Sequence, residues 1–339
     1  MVQPSLENLR SEPISNMAGM MGFDPDFQTY PDYLMHVMHA IWDARGLAVA
    51  ARKYLHQQLI RRSPLGMDFG PEGTAREASD MLAMFPDLQM LTEDVIWAGT
   101  PQRGFLGSQR MCCKGSYSNS GKFGSARGNA ITYRMIIDSY AKANRISDQW
   151  MVQDTGAILR QLGWDIPSWV QSIKPHIDPD HMPFLPQNDE LGPYTNTGQP
   201  SEWGDVQKDI LTRIMAGDGN VIRAQYDRAC QLTYPGGRSA IGWAEAEAFW
   251  LGLRGAMPDA QFEIHHVIGS EDILMPARAA VRWSLSGKHT GWGTFGAPSG
   301  VDLHVMGITH VEFGPWGLRR EWTLFDEAAV ALQIASRSV

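Results

Sequence analysis

Two tryptophan–aspartate pairs, Trp150/Asp154 and Trp322/Asp326, stand 172 residues apart (322 − 150; 326 − 154) and mark a duplication in the 339-residue chain. The same offset aligns Tyr54 with Tyr226, Gly70 with Gly242, Pro86-Asp87 with Pro258-Asp259 and Arg110 with Arg282. It also aligns Phe123-Gly124 with Phe295-Gly296, and Gly128 with Gly300. Glycines that recur at one spacing mark backbone positions with special geometry, so what repeats is a structure. A two-copy period of this length means duplicated domains, not a solenoid. The reading gives an N-terminal arm at 1–32, domains at 33–163 and 205–335, and a proline-rich linker at 164–204.

Each copy runs helices first and strands afterwards. Leu34, Val37, Met38 and Ile41 recur at helical steps, and Val49–Ile60 continues in the same manner. Glu72–Met84 is a second helical stretch, stopped by Pro86. Gln89–Trp97, Gly107–Ser116, Ala130–Tyr140 and Ile146–Val152 read as strands. In copy 2, Val206–Met215, Val221–Leu232 and Trp243–Met257 read as helices, followed by strands Gln261–Ile268, Ala277–Ser286, Val301–Phe313 and Leu318–Phe325. The order predicts α+β: a curved antiparallel sheet with helices on its concave face, twice over. The linker carries Trp164, Trp169, Phe184 and Trp203, which a free tether would not need, so it is expected to pack along the domains.

An apolar content of 43% and a charged content of 19% suit two full cores. The net charge of −8, without a Lys/Arg cluster, argues against nucleic acid and anionic membranes as partners. No apolar run approaches the roughly 18 residues of a membrane span. The N-terminus carries no basic-then-apolar leader. Cys112, Cys113 and Cys230 are sparse and lack metal-ligand spacing, so a reduced cytoplasmic protein without metal or other cofactor is expected.

The run RWSLSGKHTGWGTFGAPSGVDLHVMGITHVEF, with GLRREWTLFD after it, resembles the SnoaL-like branch of the nuclear transport factor 2-like superfamily, which contains polyketide cyclases. Copy 1, from FPDLQMLTEDVIWAG to QWMVQDTGAILRQLG, is similar to the same pattern. The resemblance implies a cone-shaped domain in which sheet and helices enclose an apolar pocket for a hydrophobic small molecule. Family members commonly dimerise, and a tandem chain could form that dimer internally, with further homo-oligomers open. Family cyclases close a ring by a metal-free aldol reaction in which a carboxylate moves a proton. Their catalytic Asp follows the strand position held here by Trp150 and Trp322, where this chain has Met151 and Thr323. Three functions remain: acid/base cyclisation or isomerisation of a carbonyl or ester compound, non-catalytic binding, and water addition to an epoxide.

In the family register Glu321, Thr323 and Phe325 face the pocket of copy 2, and Gln149, Met151 and Gln153 that of copy 1. Glu321 is the leading proton-transfer candidate, or else part of a solvated edge with Arg319 and Arg320. His304, Met306, Ile308, His310 and Glu312 share one face of the preceding strand, and His310 is expected to assist Glu321. Asp326 either caps the C-terminal helix or takes part in the chemistry. His304, Trp322, Thr323, Phe325, Trp250, Trp150 and Met151 complete the candidate substrate-binding set. Copy 1 has Gln149 and Asp138 at the positions of Glu321 and His310, and is expected to be the weaker half. His265 and His266 point to opposite strand faces and make a poor metal pair.

Overall fold

The computed structural model describes residues 19–176 and 183–337. The start of the N-terminal arm (1–18) and linker residues 177–182 lie outside them. In the first half, α1 (Tyr30–Met38) runs through a π-helical stretch (His39–Asp43) to α2 (Leu47–Tyr54), β1 (Leu55–Ser63), β2 (Gly66–Phe69) and α3 (Gly70–Met84). An antiparallel meander follows: β3 (Gln89–Thr100), β4 (Gly104–Tyr117), β5 (Asn129–Lys142) and β6 (Arg145–Gln153), closed by α4 (Thr155–Gln161). The linker contributes α5 (Ile166–Ile173). The second half then repeats the plan. It comprises α6 (Glu202–Met215), α7 (Asn220–Gln225), β7 (Tyr226–Tyr234), β8 (Arg238–Ile241) and α8 (Trp243–Ala256). Its meander is β9 (Gln261–Ser270), β10 (Arg278–Lys288), β11 (Asp302–Gly314) and β12 (Gly317–Phe325), with α9 (Glu327–Arg337) last.

The fold is α+β, and the two sheets have equivalent strand orders, β2-β1-β6-β5-β4-β3 and β8-β7-β12-β11-β10-β9. Two expectations need correction. The sheets are mixed, because β1 pairs with β6, and β7 with β12, in parallel. Val49–Ile60 and Val221–Leu232 are not helical throughout; the helices stop at Tyr54 and Gln225 and strands take over. Leu55, Leu59 and Ile60 imitate helical spacing because a register shift between Leu55 and Ile60 interrupts the period-2 alternation of β1.

The 172-residue offset also slips locally. Helix α2 ends at Tyr54 and α7 at Gln225, an offset of 171 (225 − 54), so Leu55 rather than Tyr54 occupies the place of Tyr226. The missing residue returns in the hairpin turn: Ser63 pairs with Gly66 in β1–β2, but Tyr234 pairs with Arg238 in β7–β8. The second hairpin turn is longer by one residue.

One face of each sheet packs against the other sheet. Ile96, Leu106, Ile136, Trp150 and Val152 meet Ile268, Ala280, Met306, Ile308 and Leu324 in a shared core. The contacts exchange between halves as at a two-fold interface. Arg282 lies 3.8 Å from the Trp150 ring and donates to Asp138 at 3.0 Å. Arg110 lies 3.6 Å from the Trp322 ring and reaches His310 Nδ1 at 3.4 Å. The linker is tied down as well: Arg62 donates to Asp189 and to the Glu190 carbonyl, and Phe184 enters the shared core. Behind each sheet, the helices and the other sheet face enclose a core for each half, a pair of cones.

Candidate functional site

Strand alternation sorts the residues of β12. Glu321, Thr323 and Phe325 enter the second cone, while Trp322 and Leu324 face the inter-domain seam. Glu321 is fully buried and accepts from Trp250 Nε1 (3.1 Å), Thr323 Oγ1 (2.7 Å), Tyr226 OH (2.9 Å) and Tyr234 OH (3.3 Å). Burial raises its pKa, and these donors oppose the rise. A second tier continues from Thr323 through Thr309 to Trp283 Nε1. Phe249, Trp250, Trp283 and Phe325 fill the space around the carboxyl.

His310 does not assist Glu321. It pairs with Trp322 across β11–β12, so both side chains leave the sheet on the seam side. There His310 Nε2 meets Ser108 Oγ at 2.8 Å, and burial together with the neighbouring Arg110 holds its pKa well below the ordinary histidine value. It is a neutral seam residue. The substrate-binding expectations for His304, Trp322 and Trp150 fail for the same reason. His304 bonds Ser286 and packs on Phe184, Trp322 lies under Arg110, and Trp150 lies between Arg62 and Arg282. His304, Met306, Ile308 and His310 share one face of β11, and that face belongs to the interface between the domains. His265 and His266 likewise go separate ways, to Ser284 and Tyr194.

Asp326 stands elsewhere. It caps α9, accepting from the backbone N–H groups of Ala328 (2.9 Å) and Ala329 (3.3 Å), and takes the Thr155 hydroxyl from the first half at 2.7 Å. It also lines a cleft of about 190 Å³ at the mouth of the first cone. The cleft is walled mainly by Pro64, Leu65, Phe123, Met151, Trp169 and Leu332, so the linker helix α5 and α9 of the second half both contribute. Burial pushes the Asp326 pKa up to about 7, with the nearby Asp154 charge adding to the rise.

The duplicated Asp154 explains why Asp326 is exposed to this space. Asp154 caps α4 through Ala157 N–H and also accepts from Gly236 N (2.7 Å) and Gly237 N (2.9 Å) in the β7–β8 turn. Both glycines have positive φ (81° and 69°), which aims two consecutive N–H groups at one carboxylate. The corresponding β1–β2 turn is one residue shorter and carries Pro64, which has no N–H, so the described structure gives Asp326 no such turn donors. The groove beside Asp154 carries Arg134, Arg160 and Gln161, whereas the cleft beside Asp326 is mostly apolar apart from Glu77, Lys122 and Gln153. Asp154 rises only to about 6.

Behind the cleft lies an inner void of about 20 Å³ within the first cone. Glu77, Met151 and Gln153 belong to the walls of both. Arg61 bonds Glu77 and Asp68, and Gln149 donates to Ser139. The sequence reading did not single out Glu77, Arg61 or the linker helix. Glu77 carried a signal, since it stands 172 positions before the apolar Phe249.

Residues 208–317 match the family described as SnoaL-like domain. No curated protein matches the chain. Among solved structures, a SnoaL-like polyketide cyclase from Agrobacterium tumefaciens is similar at 18% identity, covering 40% of this chain and 100% of its own, with a TM-score of 0.34. TsrD from Streptomyces laurentii is similar at 18% identity, over 40% of this chain and 97% of its own, with a TM-score of 0.35. An NTF-2 like protein from Burkholderia xenovorans reaches 17% identity, over 37% and 82%, with a TM-score of 0.28.

Proposed function

We propose that this chain, whose second half carries a SnoaL-like domain, binds a hydrophobic carbonyl compound in the cleft at the mouth of its first cone. Asp326 there moves a proton to or from the carbon next to the carbonyl, the step shared by cyclisation and isomerisation of such compounds. The observation that carries the reading is a buried carboxyl with a pKa of about 7 in the wall of a mostly apolar cleft. A group poised near neutrality exchanges protons efficiently in both directions. The cleft exceeds the roughly 150 Å³ that admits benzene into an apolar cavity, so a compound with one ring fits. The two α9 N–H groups hold Oδ1 and the Thr155 hydroxyl holds Oδ2, which keeps a further lone pair for the substrate proton.

This reading reverses the expectation that copy 1 is the weaker half. In the second cone Glu321 is held by four donors among aromatic rings, and the groove that borders Tyr234 and Phe249 does not have Glu321 in its lining.

The test is exchange of the α-protons of 4-phenyl-2-butanone in D₂O, followed by NMR. The protein accelerates exchange, the rate climbs through pH 7 as Asp326 ionises and then levels off, and Asp326→Asn removes the acceleration. Asn keeps the helix cap, so the fold is retained. Exchange that is unchanged in Asp326→Asn, or abolished instead by Glu321→Gln, would overturn the assignment.

A further inference from the structure

Two hydroxyls in the first cone lack an oxygen or nitrogen partner. Tyr133 OH and Thr74 Oγ1 are buried and both residues line the inner void; Thr74 Oγ1 has no hydrogen-bond partner among the described residues, and Tyr133 OH has only the Cys113 thiol beside it, a weak partner. Buried hydroxyls are nearly always bonded, because a lost partner leaves their desolvation uncompensated. The second half shows that the scaffold does not require them. At the equivalent positions, 172 residues on, stand Val305 and Ala246. The pairings that fix this equivalence agree: Tyr133 lies opposite Cys113 as Val305 lies opposite Leu285.

Their surroundings specify what could meet them. The void is about 20 Å³, enough for one oxygen-sized group and no more. The only charges lining it, Arg61 and Glu77, are paired with each other, so it favours a neutral group over an ion. It is separated from the outer cleft by walls that include Met151, an unbranched side chain that repacks readily.

We propose that this inner chamber is a recognition subsite for a neutral oxygen at the far end of the ligand, a hydroxyl or ketone received by Tyr133 and Thr74. The inference rests on the cleft reading above and sharpens its substrate class. The compound carries its reacting carbonyl beside Asp326 and a second oxygen at the opposite end of an apolar body.

The experiment compares 4-(4-hydroxyphenyl)-2-butanone with 4-phenyl-2-butanone by calorimetric titration of the full chain, in the native protein and in a Tyr133→Phe/Thr74→Val variant. The native protein binds the hydroxylated ketone about tenfold more tightly, the worth of one well-made hydrogen bond. The variant loses that preference while its unfolding midpoint stays level or rises, since one unbonded hydroxyl and one held only by a weak thiol partner are gone. Equal affinities in the native protein, or a preference that survives in the variant, would overturn the subsite. So would a variant that is destabilised yet keeps the preference, which would assign the hydroxyls to an internal water. If 4-phenyl-2-butanone shows Asp326-dependent exchange but the hydroxyl adds nothing, the cleft stands and the subsite falls. If neither ketone binds, both fall.

Discussion

The two cones share one scaffold and differ in what fills them. Where the second places Phe249, Trp250, Trp283 and Phe325, the first has Glu77, Ala78, Met111 and Gln153 at the same offset. Four aromatic rings turn the second cone into a core organised around one carboxyl. Smaller and more flexible residues leave a void in the first and a cleft at its mouth. The difference teaches that a carboxyl's chemistry depends on what stands beside it. Glu321 is buried with its donors already engaged, while Asp326 is buried at the edge of open space. Duplication allows this division, because the seam of exchanged Arg–Trp contacts holds both halves whichever cone is open.

The sharpest contrast is in stability. Glu321→Ala leaves the Tyr226, Tyr234 and Trp250 donors facing a cavity and should cost at least about 3 kcal/mol in denaturant unfolding, at about 1–3 kcal/mol per buried donor left unpaired. Gln149→Ala at the equivalent position of the first cone loses one bond to Ser139 and should cost only about 1 kcal/mol. Equal costs would mean that the second cone is no more a closed core than the first.

The two capping aspartates give the next effect. A carboxyl whose pKa rises from 3.8 to about 7 on folding keeps its proton where the unfolded chain has released it. The folded state then binds more protons, so stability falls as pH rises from about 4 to 7 and levels off above. Asp154, raised to about 6, adds a smaller fall that ends earlier. For Asp326 the total is on the order of 4 kcal/mol, at about 1.36 kcal/mol per pKa unit. Asp326→Asn should remove this contribution, and Asp154→Asn a smaller one. Unfolding midpoints of the native protein and of each variant, measured from pH 4 to 8, check this, and a native-minus-variant difference that does not change across the window would contradict it.

Much of this was legible in the residues. The repeat, the α+β class and the opposite facing of Glu321 and Trp322 follow from spacing and strand alternation. The pairing of His310 with Glu321 was not recoverable, because two strands can each be in phase while presenting opposite faces. Asp326 was visible as a shared residue, equally readable as a cap or as chemistry, and the structure gives it the cap together with a cleft. The cleft itself escaped because it depends on one residue of turn length, concealed by an ungapped alignment that matched Tyr54 to Tyr226. It depends also on Trp169 and Ile173 of the linker, whose docking site no local pattern encodes. Tyr133 and Thr74 became informative only beside Val305 and Ala246.

The central claim is that the first cone is open for a ligand because it lacks the rings that close the second. Transplanting two of them, Glu77→Phe and Gln153→Phe, tests it most directly, since both side chains border the cleft and the inner void. Calorimetric titration of the variant with 4-phenyl-2-butanone should show affinity lowered at least tenfold, about 1.4 kcal/mol, with cooperative unfolding retained. Unchanged affinity in a folded variant would place the ligand outside the first cone and contradict the account.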